Sequence, residues 1–173
     1  MDQLATLIAC KEIQDSMARY ARGVDRRDWE AVRECYFPDA HDWHGDYKGD
    51  PAGFIDWVSA RHADLPASIH FLGNCLIEFT SDDVAQVETY FIATQRRPDP
   101  AGGPATDAEV HGRYIDRFEC RQGVWKVAER IVVYDNSRFV ESNDHLRKGT
   151  GLNGRRDGED AIYLQGKAKR YGA

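Results

Sequence analysis

Apolar positions recur at steps of three and four along the first third of the chain, and at steps of two along most of the rest. Ile13, Met17, Tyr20, Ala21 and Val24 form one stripe, with Lys11, Gln14, Asp15, Arg19 and Arg22 opposite, a pattern that predicts an amphipathic helix. Gly23 predicts a loosened helix end. "DRRDWEAVRECYFPDA" predicts a second helix, capped by Asp25 or Asp28, burying Trp29, Val32 and Tyr36 and stopped by Pro38. "HDWHGDYKG" reads as a short strand and a tight turn. Helical spacing returns in "DPAGFIDWVSARHADL" through Phe54, Trp57, Val58 and Arg61, with Asp50 as cap and Pro51 at the first helical position.

After Pro66 the period changes. Residues 68–80, 84–97, 108–121 and 124–136 are rich in Val, Ile, Phe, Tyr and Thr and predict four strands. Asp82-Asp83 and Arg121-Gln122-Gly123 are short connections, so their flanking strands should pair as antiparallel hairpins. Pro98 to Asp107 is a Pro/Gly loop. In "SIHFLGNCLIEF" strict alternation puts Ile69, Phe71, Cys75, Ile77 and Phe79 on one face. His70, Leu72, Asn74 and Leu76 fall on the other, a mixed face suited to lining a cavity. Helices first and long antiparallel strands afterwards indicate an α+β fold, with helices packed on one side of a curved sheet.

Composition narrows the classes of function. A chain of 173 residues, 42% hydrophobic, is long enough for one domain with a real core. The net charge of −6 argues against general binding to nucleic acid or to anionic membranes. No stretch approaches the ~20 apolar residues of a membrane span. Cys10, Cys35, Cys75 and Cys120 form no C-x-x-C pair and the start has no basic, apolar leader pattern, so reduced thiols and a cytoplasmic location are expected. Residues 137–173 hold eight Lys/Arg against five Asp/Glu, a basic arm beside an acidic body.

Two motifs do not carry the chemistry that their letters suggest. "GTGLNG", residues 149–154, matches G-x-G-x-x-G but stands outside any strand–turn–helix context. "HDWH" spaces His41 and His44 as H-x-x-H, yet on a strand positions i and i+3 point to opposite faces, so a solvated loop is the expectation and no metal site is assigned. Neither a Walker loop nor a G-x-S-x-G elbow is present. What remains is Tyr20 and Asp25 around the end of the first helix, His70 at the head of one strand and His111 early in another. Tyr20 also suits the apolar stripe, Asp25 also suits a helix cap, and either histidine could simply hydrogen-bond within a sheet. Spacing leaves both uses open.

"MARYARGVDRRDWEAVRECYFPDA", "SIHFLGN" and "HGRYIDRFECRQGVWKVAERIVVYD" together resemble the nuclear transport factor 2-like superfamily over about residues 5–136. The chain is similar to the branch with scytalone dehydratase, hexachlorocyclohexane dehydrochlorinase, bile-acid dehydratase and small polyketide cyclases. The resemblance implies a cone-like barrel, with N-terminal helices packed in the concave face of a strongly curved, mostly antiparallel sheet. It divides the chain into a catalytic domain, 1–136, and a C-terminal arm, 137–173, that covers the pocket or contacts a subunit. It also implies that Asp25 pairs with His70, that Tyr20 is a site residue five positions before the aspartate, and that His111 is a second pocket histidine.

Residue chemistry is consistent with these implied roles. A neutral imidazole takes up protons near neutral pH, and a carboxylate on its other nitrogen fixes the tautomer. The expected reaction is elimination: His70 removes a proton, Tyr20 or His111 assists the leaving group, and no metal or cofactor takes part. Water, halide or a small aldehyde could leave. Trp43, Tyr47, Leu72, Asn74 and Tyr134 are the expected substrate contacts, and Phe54, Trp57, Phe71, Tyr90, Phe91, Tyr114 and Phe139 are further candidates for an aromatic pocket. A hydrophobic, aromatic small molecule is the expected substrate, and a homo-oligomer, dimer or trimer, the expected assembly. An isomerase or cyclase, and a binding subunit like that of ring-hydroxylating oxygenases, are the alternatives.

Overall fold

The computed structural model describes residues 1–142 and 153–167. Most of the "GTGLNG" stretch and part of the C-terminal arm lie outside these described residues. Helix α1 (Gln3–Arg26) starts at Asp2, whose carboxylate accepts the Ala5 N–H at 2.8 Å. Its buried stripe is the predicted one, Ile13, Met17, Tyr20, Ala21 and Val24. Gly23 does not end the helix. A Cβ there would stand 2.8 Å from Val32 Cγ2, so the glycine lets the next helix approach closely. The turn of chain that stops α1 is at Arg27, left-handed at φ 56, with its N–H on the carbonyls of Gly23 and Val24.

Helix α2 (Trp29–Glu34) is capped by Asp28, not Asp25, and is shorter than expected. Tyr36 and Pro38 belong instead to strand β1 (Tyr36–His44). A proline is tolerated there because the pairing of β1 shifts register between Tyr36 and His41. Strand β2 (Tyr47–Gly49) returns from β1 across a turn with Gly45 at φ 63. Helix α3 (Pro51–His62) has the predicted Asp50 cap and Pro51 start.

Strands β3 (Ala67–Ser81), β4 (Val84–Arg97), β5 (Thr106–Arg121) and β6 (Val124–Glu141) form the predicted antiparallel meander. The β5–β6 turn is tight, with Gln122 at φ 54 and Gly123 at φ 80. Strand β1 adds to β6 in parallel, giving one six-stranded sheet of order β2-β1-β6-β5-β4-β3. The sheet is curled but unclosed, and α1 lies in its hollow, burying Ile13, Met17, Tyr20 and Val24 against Phe54, Phe91, Tyr114, Phe118 and Val127. The fold is the α+β, cone-like arrangement expected. Strand β6 continues past Asn136 to Glu141, and after residue 152 the arm resumes with a short helix α4 (Ala161–Lys167). Among the described residues, no helix is long and apolar enough to cross a membrane.

One departure in β3 matters for the site. Its register on β4 shifts between Leu72 and Cys75, so the alternation reverses at Gly73–Asn74. His70 and Leu72 face inward with Cys75, Ile77 and Phe79, while Ile69, Phe71, Asn74 and Leu76 face out. The single mixed face read from alternation is therefore two half-faces.

Candidate functional site

Asp25 and His70 meet at one end of the hollow. The last turn of α1 presents Asp25, and β3, the edge of the sheet, presents His70. An edge strand leaves every second N–H without a strand partner, and Asp25 takes one of them, accepting the His70 N–H on Oδ2 at 2.8 Å. Its Oδ1 contacts His70 Nδ1 at 2.7 Å and accepts the Ser68 hydroxyl at 3.1 Å. A carboxylate offered to Nδ1 fixes the proton there, because Asp25 accepts at both oxygens. The free lone pair of a neutral His70 is then on Nε2.

His70 lines a cavity of about 280 Å³ between α1, α3 and the concave side of the sheet. Its floor is aromatic, with Tyr20, Phe91 and Tyr114. Phe91 and Tyr114 stack at 4.4 Å between centroids, and Tyr20 meets Tyr114 edge-on. Trp57, Tyr134 and Phe139 continue the wall, and Arg61, Arg97, Gln95 and Ser137 add polar groups. Burial holds the Tyr20 hydroxyl well above the usual phenol range, against the pull of Arg130. Tyr134 is pushed up to about 12, again chiefly by burial. Both phenols are therefore donors at neutral pH.

A second imidazole, His44, shares this wall. It stacks on Phe54 at 4.9 Å, and its Nδ1 stands 3.5 Å from Oδ1 of the fully buried Asp42. Neither atom has a closer partner among the described residues. Behind Asp42 a network runs into the core. Tyr36 donates to Asp42 Oδ2 at 2.6 Å and accepts from Arg130 at 3.1 Å, and Arg130 forms a two-pronged pair with Asp116, both contacts 2.7 Å. The Arg130 guanidinium also lies over the rings of Tyr20 and Tyr114, at 4.1 and 4.5 Å.

His62 is the third imidazole. Arg156, from the arm, donates to His62 Nδ1 at 2.9 Å, and Gln95 contacts Nε2 at 3.2 Å. Since a guanidinium only donates, Nδ1 accepts and the ring is neutral. Burial and then Arg156 lower the pKa of His62 to about 3. Arg156 also donates to the carbonyls of Val24, Asp25 and Leu65.

The residues predicted for the site therefore part company. Asp25, His70, Tyr20 and Tyr134 come together at the cavity. His111 does not: on β5 it points outward, bonds Glu109 at 2.8 Å and lines a shallow groove on the far side of the sheet. Asn74 lies in that same outer groove because the β3 bulge turned it over. Trp43 faces out under the ammonium of Lys48, at 3.5 Å. Tyr47 and Leu72 pack on the core beside the cavity without forming its wall. His41 and His44 do point apart, but His44 is no loop residue. In the sequence His44 is hidden inside "HDWH", and His62, Gln95 and Arg156 carry no local signal. Among the described residues no group of three His, Cys, Asp or Glu side chains is placed to hold a metal ion.

The SnoaL-like domain family matches residues 5–131. No curated protein matches the chain. Among solved structures, a candidate scytalone dehydratase from Novosphingobium aromaticivorans superposes with a TM-score of 0.70 at 18% identity, covering 87% of this chain and 100% of its own. A hexachlorocyclohexane dehydrochlorinase from Novosphingobium barchaimii gives 0.73 at 21% identity, covering 84% and 99%. The β subunit of a candidate aromatic-ring-hydroxylating dioxygenase from N. aromaticivorans gives 0.59 at 19%, covering 76% and 92%.

Proposed function

The chain belongs to the SnoaL-like domain family, and from that premise we propose that it is a cofactor-independent lyase in which His70 removes a proton from a hydrophobic substrate. The observation that carries this reading is the bonding of Asp25. A carboxylate buried behind the wall spends its acceptors on Ser68, on the His70 ring at Nδ1 and on the His70 backbone N–H, leaving Nε2 as the base. As His70 becomes an imidazolium, Asp25 stabilises the charge through the bond already in place. In the comparable triads of serine proteases, removing the carboxylate costs on the order of 10⁴-fold.

Elimination also needs help for the departing group. Tyr20 and Tyr134 are protonated phenols in the wall, and His44 is a second imidazole with a carboxylate behind it. His44 takes the part that His111 was expected to play. The likeness to a dehydratase and a dehydrochlorinase supports loss of water or halide. An isomerase would use the same base and return the proton to another carbon, and solvent deuterium appearing in the product distinguishes it. A pure assembly subunit, the reading favoured by the dioxygenase β subunit likeness, has no use for the dyad.

The test is steady-state turnover of cyclic alcohols and halides by wild type, His70→Ala and Asp25→Asn. Loss of general-base assistance lowers kcat by about 10²–10⁴-fold. Full turnover in both variants would remove the dyad from the mechanism.

A further inference from the structure

We infer that the cavity takes a hydrophobic small molecule bearing a carboxylate, held at the mouth by Arg61 and Arg97. This inference rests on the cavity being the substrate site, as proposed above, but not on any chemistry at His70. The body of the protein is acidic, with a net charge of −6, so an anion is not drawn in by the overall field. The walls have the opposite character. Arg61 and Arg97 both line the cavity and both are exposed, which puts them at its opening, and among the described residues no carboxylate forms part of the wall.

Each guanidinium is positioned by something uncharged. The Arg61 guanidinium carbon lies over the Trp57 ring, 4.8 Å from its centroid, a contact through the face of the group that leaves its N–H edge available. Arg97 donates to the Gln95 amide oxygen at 3.1 Å. Among the described residues neither is ion-paired, whereas Arg113, Arg117, Arg121 and Arg138 each find a carboxylate. Of the buried acids behind the walls, Asp25 is engaged by Ser68 and His70, and Asp42 is engaged at Oδ2 by Tyr36 while its Oδ1 faces His44. His62 is neutral and contributes no charge. Two oriented, unpaired guanidiniums above an aromatic floor suit a flat apolar body with a carboxylate at one end, since the planar donor fork matches carboxylate geometry. A volume of about 280 Å³ lies at the low end for ligand pockets, which points to a body of one or two rings.

The experiment is calorimetric titration with naphthalenecarboxylate and with naphthalenemethanol, its neutral alcohol. Wild type should bind the carboxylate at least about tenfold more tightly, the scale of one charge-assisted hydrogen bond. In the Arg61→Met/Arg97→Met double variant that preference should vanish while affinity for the alcohol stays within about twofold. His70→Ala should keep the preference, so failure of the proton-abstraction reading and failure of this one are separable. No binding of the carboxylate by wild type, equal affinity for the two probes, or a preference that survives in the double variant would each overturn the inference.

Discussion

His62 is held neutral between Arg156 and Gln95, and its neighbours make it a liability in acid. In the unfolded chain it takes up a proton near pH 6.5, but in the fold only near pH 3. The unfolded state thus binds more protons across that window, so the stability contributed by neutral His62 is complete above pH 6.5 and is lost as pH falls toward about 3. His62→Gln keeps a polar group and removes the titration. Chemical denaturation at a series of pH values should show a shallower fall between pH 6.5 and 3 in this variant, and an unchanged slope would count against a buried, neutral His62. At this scale the sequence was partly legible. Resemblance, not spacing, picked out Asp25 and His70. His44 is not legible because H-x-x-H signals a metal pair, whereas each imidazole has its own neighbours in the fold. His62 and Arg156 are far apart in the chain, and nothing local marks either.

Between elements, the end of α1 is where the site is assembled. Four backbone carbonyls at a helix end lack partners within the helix. Here Arg156 satisfies those of Val24 and Asp25, together with Leu65, while Arg27 also reaches the Leu65 carbonyl at 2.8 Å. A cation at a helix C-terminus is also favoured by the helix dipole. Tyr163 on α4 adds a bond to Asp28 at 3.1 Å, so the arm is tied to the turn that follows Asp25. Arg156→Met should lower stability by about 1–3 kcal/mol, read by thermal or chemical denaturation. Arg156→Lys should recover only part of it, because one ammonium cannot reach the acceptors that the planar fork spans. Equal stability of all three proteins would mean that the arm does not brace α1. Helix stripes, the Asp50 cap and both hairpin turns were legible because they are local. The bulge in β3 and the parallel docking of β1 on β6 were not. Both are set by pairing between strands, and Pro38, read as a helix stop, is a strand residue at an irregular register.

At the level of the whole molecule, the convex side of the sheet is unusually apolar. Ile69, Phe71 and Leu76 on β3 are 62%, 68% and 58% exposed, and Tyr90 and Ile92 stand beside them on β4. An apolar patch on an edge strand invites association, and we propose that a second copy of the chain covers it, in the homo-oligomer that the resemblance implies. Phe71→Glu should reduce the mass seen by sedimentation to that of one chain, 19.7 kDa; an unchanged mass would place any contact elsewhere. On the concave side, the buried Arg130–Asp116 pair and the network reaching Asp42 fix the floor of the cavity from behind.

The most direct measurement bears on the proton itself. On one eliminated substrate, wild type and Asp25→Asn are compared for kcat and for the isotope effect of deuterium at the abstracted position. Wild type should show a primary effect above unity, and Asp25→Asn should fold normally yet turn over slower by on the order of 10³–10⁴-fold. Turnover in Asp25→Asn equal to wild type would contradict a base made from His70 and Asp25.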